Sequence, residues 1–281
     1  MSPRLWKQIF IALIFFAVIG SLIYFLVIRP NSPRFTCFNN RPDKNEEGVD
    51  CGGVCQKQCL AIRPLEIVSQ RIFRIGGAEF EPAKQGFDYD FLAEIKNPNP
   101  DFGASDVVYE LELVNDIGEI IFSAAGSTYL MPGQTRYEII SPLKTAQLVS
   151  NSNFRLKNQT WQRLEEFIPQ NLFLVKNQNY SLLNPEDGFS KLEGTIFNNS
   201  NFDFDKVDLY VVLFDEENSP LAVNKTDIRT FNSKTGRFFE VKWSKPFPGS
   251  VNRFDIQTYT DVFRNENFIK EYGTQEQFQK F

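Results

Sequence analysis

Four cysteines, Cys37, Cys51, Cys55 and Cys59, lie in one short stretch, and they are all the cysteine in the chain. A thiol can serve as nucleophile, metal ligand or half a disulfide, and its spacing and surroundings separate these roles. Here one long gap is followed by two short ones, unlike the paired short knuckles of common zinc modules. The interior of Thr36 to Cys59 is rich in Asn, Asp, Glu and Gly and holds no apolar run. A segment of that kind cannot build a core and must be held by cross-links. Two disulfides are the first expectation, with all three connectivities open; a four-thiolate zinc site is the alternative. An even, clustered set of cysteines suits an oxidising compartment.

The same stretch carries a second pattern. Asp43, Asn45 and Glu47 alternate along the chain, Gly48 follows, and Asp50 comes next. Oxygen ligands at alternate positions with Gly at the sixth repeat the front half of an EF-hand calcium loop. The position of the closing bidentate Glu is taken by Val54. Calcium held by Asp43, Asn45, Glu47 and Asp50 is therefore set against a plain solvated acidic turn.

Catalytic chemistry finds little support. The chain has no His at all, which removes the commonest general base and with it Ser–His–Asp and Cys–His catalysis. Asp203 with Asp205, and Glu165 with Glu166, are adjacent acids of the sort that are ordinarily just solvated. No cofactor is expected and the protein is read as a non-enzyme. The formal net charge of −5 provides no general affinity for nucleic acid, whose phosphates need a basic face. Asn158, Asn179, Asn198 and Asn224 each open an Asn-x-Ser/Thr pattern, which matters only in a host that glycosylates.

What must position these residues begins with an anchor. Ile9 to Ile28 is an uncharged run, long enough as a helix to cross a hydrocarbon core of about 30 Å. A cleaved signal peptide is the rival reading. It is disfavoured because Ala17, Gly20 and Ser21 are followed by further apolar residues, Leu22 to Ile28, in place of a polar stretch. Arg4 and Lys7 before the span, against Arg29 and Arg34 after it, favour a cytoplasmic N-terminus only weakly. With the cysteines, the expectation is a single-pass membrane protein whose bulk lies outside the cytoplasm.

Beyond the cysteines the sequence compares with itself at a period of about 100 residues. Asn97 aligns with Asn198; after a gap, Val107, Tyr109, Leu111 and Leu113 align with Val207, Leu209, Val211 and Leu213. With more gaps, Thr128 and Leu130 meet Thr226 and Ile228, and Arg136 to Ile139 meets Phe238 to Val241. Val107 to Leu113 alternates apolar residues with Val108, Glu110 and Glu112, the mark of a sheet covered on one side. The second copy is less clean, because Tyr210 and Val212 lie on what should be the polar face. Turns at Asp116-Ile117-Gly118, Asp215 to Pro220 and Met131 to Gln134 separate short strands, as in a sandwich. Edge strands are expected at Leu65–Val68 and Leu172–Val175. The 29 Phe residues also suit half-buried sheet surfaces.

The fold class expected is therefore all-β: two tandem immunoglobulin-like antiparallel β-sandwiches after an N-terminal transmembrane helix. The divisions are 1–8 cytoplasmic, 9–28 membrane span, 29–61 cysteine module, 62–158 first sandwich and 159–169 link. The second sandwich spans 170–263 and a polar, frayed tail 264–281. Trp161 to Phe167 in the link is expected to form one or two helical turns, and two domains so joined are expected to unfold separately. The loop Trp243, Pro246, Phe247 and Pro248 is the candidate interaction surface, against a bland reading in which its aromatics cap the core.

Two resemblances bear on this. Asp50-Cys51-Gly52-Gly53-Val54-Cys55 resembles a cysteine motif of bacterial surface proteins, which implies extracellular placement. Leu192 to Asn199, Leu209 to Phe214 and Phe238 to Trp243 resemble the FxLYD and late-embryogenesis-type sandwich families. The whole order of anchor, acidic cysteine module and two sandwiches resembles membrane-anchored proteins of candidate-phylum bacteria, which implies fold and placement. The function expected is a spacer or protein-interaction unit at the cell envelope with an envelope protein as partner. Calcium-dependent adhesion and an envelope enzyme are the alternatives.

The disulfide expectation has a direct check. Purified oxidised protein should show no titratable thiol, and its mass should fall by four hydrogens relative to the reduced form. Four thiols with stoichiometric zinc would replace the disulfides by the metal site.

Overall fold

The computed structural model describes residues 3–29, 37–41, 43–57, 59, 62–76, 86–164, 172–266 and 268. They fall into two compact units, divided between Ile62 and Arg63.

The first unit holds helix α1 (Pro3–Ile23), which widens into π-helical turns over Tyr24–Ile28. Trp6 to Ile28 is long and apolar enough to cross a membrane, as an anchor or a signal sequence would, and none of it is buried. A helix that is apolar all round belongs in hydrocarbon or in a protein core. The same unit contains the cysteine module, closed by disulfides Cys37–Cys55 and Cys51–Cys59, with no free cysteine. Its turn depends on Gly53, whose φ is +58° and where a Cβ would sit 2.0 Å from the Asn45 carbonyl oxygen. Only glycine tolerates both demands.

The second unit is all-β, built from antiparallel sheets. Its first lobe comprises β1 (Glu66–Ile75), β2 (Phe87–Lys96), β3 (Phe102–Val114), β4 (Ile120–Leu130), β5 (Thr135–Thr145) and β6 (Asn151–Arg163). Its second comprises β7 (Phe173–Leu182), β8 (Ser190–Asn198), β9 (Phe204–Phe214), β10 (Pro220–Phe231), β11 (Gly236–Trp243) and β12 (Arg253–Tyr259). Four three-stranded sheets result, ordered β1-β2-β5, β4-β3-β6, β11-β8-β7 and β10-β9-β12. In the first lobe Phe91, Ile95, Val107, Leu111 and Leu113, all with no exposed surface, fill the space between its two sheets. Leu192, Ile196, Val207, Leu209, Val211 and Leu213 do the same in the second.

A buried asparagine closes the end of each lobe. Asn97 Nδ2 donates to the carbonyls of Phe102 (2.7 Å) and Met131 (2.8 Å), and its Oδ1 accepts from Asn99 N (3.0 Å). Asn198 Nδ2 donates to the carbonyls of Phe202 (2.7 Å) and Phe231 (3.2 Å), and its Oδ1 accepts from Ser200 N (3.0 Å). Each side chain thus ties the end of one sheet to two points on the other and leaves no buried polar atom unanswered. Asn198 is 1% exposed, so its glycosylation pattern is inaccessible.

Pairing corrects the alignment downstream. Val107 pairs with Thr128 and Val207 with Ile228; Ile95 pairs with Arg136 and Ile196 with Arg237. Thr128 therefore answers to Ile228, and Arg136 to Arg237. With Asn97 set against Asn198 and Val107 against Val207, the registers differ by one residue, which the turn before Arg237 takes up. A one-residue slip matters because it exchanges the faces of a strand.

The lobes are not joined as separate beads. Phe73, Leu92 and Ile139 of sheet β1-β2-β5 pack with Tyr210, Val212, Phe214, Val223 and Tyr259 of sheet β10-β9-β12 in one buried cluster. The central strands β2 and β9 are buried on both faces, which is why Tyr210 and Val212 break the alternation. The two outermost faces are charged instead: Glu110 pairs with Lys157 and Glu112 with Arg155 on β3 and β6. Lys191, Glu193, Glu240 and Lys242 form a chain of ion pairs across β8 and β11.

Two expectations about the chain between and after the lobes need correction. Residues 159–163 are not link or helix: Gln159, Thr160, Trp161, Gln162 and Arg163 all pair with β3. A β-rich neighbour with open hydrogen-bonding groups outweighs the weak helical propensity of the stretch. Residues 165–171 lie outside the described residues. The tail begins with structure, since Val262 and Phe263 form a short 3₁₀ turn and Phe268, 1% exposed, packs with them and with Leu164. Residues 269–281 lie outside the described residues.

Because the junction is a shared core, the two lobes should unfold in a single transition rather than two. Leu111→Ala should lower stability by about 2–5 kcal/mol and move that whole transition in calorimetry. Glu110→Gln, which removes one half-exposed ion pair, should cost under about 1 kcal/mol. Val212→Asp, at the junction, should split the profile into two; a wild-type profile already split would refute the shared core.

Candidate functional site

The junction concentrates the polar chemistry of the second unit. Edge strand β5 places Arg136 and Glu138 on one face, level with Ile95 and Ala93 of β2, and Tyr137 and Ile139 on the other. Arg136 is 2% exposed. Its guanidinium lies over the rings of Tyr259 (4.1 Å), Tyr129 (4.6 Å) and Tyr210 (5.7 Å). It also donates to the Tyr129 carbonyl at 2.7 Å and lies 3.8 Å from the Glu138 carboxylate. Burial works against its charge, but Tyr129, Glu138, Tyr259 and Tyr210 outweigh that and hold its pKa above the ordinary value. Two of the three rings, Tyr210 and Tyr259, come from the second lobe.

Around this cation the lobes exchange hydrogen bonds. Tyr137 N donates to the Tyr259 hydroxyl (2.7 Å), the Tyr137 hydroxyl to Asp255 Oδ2 (2.9 Å), and Lys225 Nζ to the Ile139 carbonyl (2.7 Å). Gly76 N donates to the Pro246 carbonyl at 3.1 Å, and Lys245 pairs with Asp88.

Beside the junction is a small open cleft of about 160 Å³, lined from the first lobe by Phe73, Arg74, Asp88, Asp90, Ser141 and Lys144. The second lobe lines it with Leu221, Asn224, Lys242, Trp243, Lys245 and Phe247. Asp90, on β2, is 6% exposed and accepts the Ser141 hydroxyl. Burial, partly offset by Ser141 and reinforced by Asp88, raises its pKa from 3.8 to about 6. Sequence reasoning did not single out Asp90, Ser141 or Arg136. No local signal marked Asp90, which alternates with apolar residues on a strand that also carries Asp88 and Glu94.

The candidate interaction loop lies at the same junction, and most of it is engaged. Trp243 is the last residue of β11, 5% exposed, and its indole N–H donates to the Val223 carbonyl at 3.1 Å. Phe247 packs against Phe189 (4.9 Å between ring centroids) and Trp243 (6.4 Å). Pro246 presents its carbonyl to the first lobe, and Pro248 follows in the turn.

In the first unit, two of the candidate calcium residues, Asp43 and Asp50, accept hydrogen bonds from within the module. Asp50 accepts the backbone N–H groups of Asn39 and Asn40, each at 2.9 Å, and Asp43 accepts the Asn39 amide at 2.7 Å. The Asn45 carbonyl accepts Val54 N. Among the described residues, the carboxylates of Asp43, Glu47 and Asp50 do not gather within 4.8 Å; the group that does is Cys37, Glu46 and Cys55, whose sulfurs form a disulfide. Glu46 accepts Asp43 N at 3.3 Å and Asp50 N at 3.1 Å. Asp50 and Glu46 therefore serve as caps for backbone donors. Elsewhere, Asp203 accepts Ser233 N at 2.7 Å, as a turn residue does. Glu165 and Glu166 lie outside the described residues.

No known protein family and no curated protein matches the chain. Among solved structures it is compared with a Bacteroides uniformis beta-glucuronidase 2 bound to a cyclophellitol aziridine, at 8% identity and TM-score 0.21, over 69% of this chain. A second Bacteroides uniformis beta-glucuronidase gives 9% identity and TM-score 0.21 over 73% of this chain. The chain spans only 30% of the length of either enzyme. Likeness at this level carries no argument for fold or function.

Asp90 provides a pH test. Its folded pKa lies above its unfolded one, so its contribution to stability is complete below about pH 4 and is lost as pH rises through about 6. At neutral pH it is a buried charge with no cation paired to it among the described residues, and Asp90→Asn should raise stability there by about 1–3 kcal/mol. The gain should disappear below about pH 4 in urea melts at stepped pH. A gain independent of pH would place the effect elsewhere.

Proposed function

We propose that the chain is a non-enzymatic, membrane-anchored extracytoplasmic module. It carries two tandem immunoglobulin-like sandwiches as a rigid spacer that presents its loops to a protein partner at the cell envelope. The anchor is residues 9–28, with the N-terminus on the cytoplasmic side. Supporting the compartment are the apolar helix, all four cysteines as disulfides, and a cysteine-bearing segment without a core of its own. Supporting two copies of one unit are the strand orders, which recur six strands apart, and the matching roles of Asn97 and Asn198.

The observation that carries the spacer reading is the junction. Lobes joined by a flexible link move independently, whereas here a sheet face from each is buried around Arg136. Separating them would expose apolar surface and leave a guanidinium without its rings, so the angle between the lobes is set. A set angle is what a presenting element needs and what a mere tether lacks.

Protease added to intact cells or spheroplasts should degrade everything beyond Arg29 and spare the short N-terminus; full protection of the C-terminal part would refute export. In a fragment beginning at Ile62, dyes on Ile117→Cys and Lys234→Cys should report one narrow distance distribution. A broad distribution in the wild-type background, no narrower than in Val212→Asp, would leave a tether rather than a spacer.

A further inference from the structure

Among the described residues only two carboxyls are buried, Asp90 and Glu138. Glu138 has Arg136 as its counter-ion. Asp90 has a neutral partner, the Ser141 hydroxyl, and its charged neighbour on the same strand is another acid, Asp88. Leaving a carboxyl in an apolar contact without a cation costs stability, and a well-packed apolar residue would serve the junction better. The fold does not need Asp90. It does, however, line the open cleft between the lobes, where ligand sites are commonly formed.

The rest of the cleft wall limits what fits there. On β1, the Arg74 guanidinium lies over the Phe87 ring at 5.0 Å, and Arg74 is level with Tyr89 while Phe73 is level with Asp90, so its charge is engaged on the other face of the sheet. Lys245 is already paired with Asp88, and Lys242 with Glu240 at 3.1 Å. Lys144 is exposed on β5, three residues beyond Ser141. Phe73 and Phe247 provide apolar surface between these groups. Among the described residues the cleft thus combines an acid that lacks a cation with one unengaged basic group, Lys144, at its edge, and apolar wall between.

We propose that this cleft binds a small zwitterion, an amino acid or the free end of a short peptide. Its ammonium pairs with Asp90, its carboxylate with Lys144, and its side chain lies against Phe73 and Phe247. The ammonium replaces water at a carboxyl already desolvated, and a charge-assisted bond there is stronger than at the surface. The raised pKa of Asp90 gives the binding a proton signature: an arriving ammonium favours the ionised form, so a proton is released where Asp90 is still partly protonated.

The test is calorimetric titration of the full-length protein in detergent with dialanine, N-acetyl-dialanine and dialanine amide. Dialanine should bind, and either blocked form should bind about tenfold or more weakly, as loss of one charged bond predicts. Asp90→Asn should weaken dialanine by a similar factor while leaving the acetylated form unchanged, and Lys144→Gln should weaken dialanine but not its amide. Heats measured at pH 6 in buffers of different ionisation enthalpy should show proton release that is absent at pH 8. Ser141→Ala, which keeps the carboxyl, serves as a second variant should Asp90→Asn misfold, and it should retain the preference for the free amine. No binding of dialanine at about 10 mM, equal binding of blocked and free forms, or affinity indifferent to both charge variants would overturn the proposal.

Discussion

A guanidinium taken out of water has to be answered on every side, and the second unit is arranged around that requirement. Arg136 projects from an edge strand, where no further strand hinders its side chain. One carboxylate, two carbonyls and three tyrosine rings surround it. The first lobe supplies the carboxylate, the carbonyls and Tyr129; the second supplies Tyr210 and Tyr259. Neither lobe alone satisfies the charge. Buried ion pairs often add little net stability because desolvation offsets attraction. Their cost falls on wrong arrangements, and here any arrangement that moves Tyr259 away strands the cation. The apolar cluster around Leu92, Ile139 and Val212 provides the attraction, and Arg136 selects the geometry.

Much of the strand plan was legible because it rests on local chemistry. Alternation in Val107 to Leu113, the turn residues at Asp116-Ile117-Gly118 and Met131 to Gln134, and the strand-ending asparagines each act within a few residues. Asn97 and Asn198 align in sequence and hold the same bonds in the structure. What was not legible depends on pairs far apart in the chain. Arg136 reads as a surface residue of a short strand until Tyr259 is brought to it. Asp90 reads as the polar half of an alternation, when its face is covered by the other lobe. The irregular alternation of β9 was the one local trace of the junction. Period-2 patterning reports which faces are buried, not by what.

The cysteine module shows the same division. Its lack of an apolar run pointed to cross-links, and two disulfides are present. The acidic alternation from Asp43 to Asp50 invited a cation. Carboxylates next to a tight turn have another use, which is to accept backbone N–H groups that sheets and helices would otherwise satisfy, and Asp50 and Glu46 do this. A spacing pattern cannot separate the two uses, since both call for oxygen atoms at short intervals.

The contact between the lobes joins two different faces, one from β1-β2-β5 and the other from β10-β9-β12. A contact of unlike faces does not close on itself; repeated, it runs on as an open-ended fibre. The chain ends that series through its ion pairs. Counted back from the closing asparagines, Glu193 and Glu240 of β8 and β11 stand on the rung that Leu92 and Ile139 hold in β2 and β5. Counted along β3 and β9 from Val107 and Val207, Glu110 and Glu112 stand where Tyr210 and Val212 do. Each outer face thus carries paired charge where its counterpart carries the sticky side chains, so a third sheet pair finds nothing dry to settle on. The same few rungs carry adhesion where the lobes meet and paired charge where they do not, so the carboxylates are what keep the outer faces from offering that contact a second time.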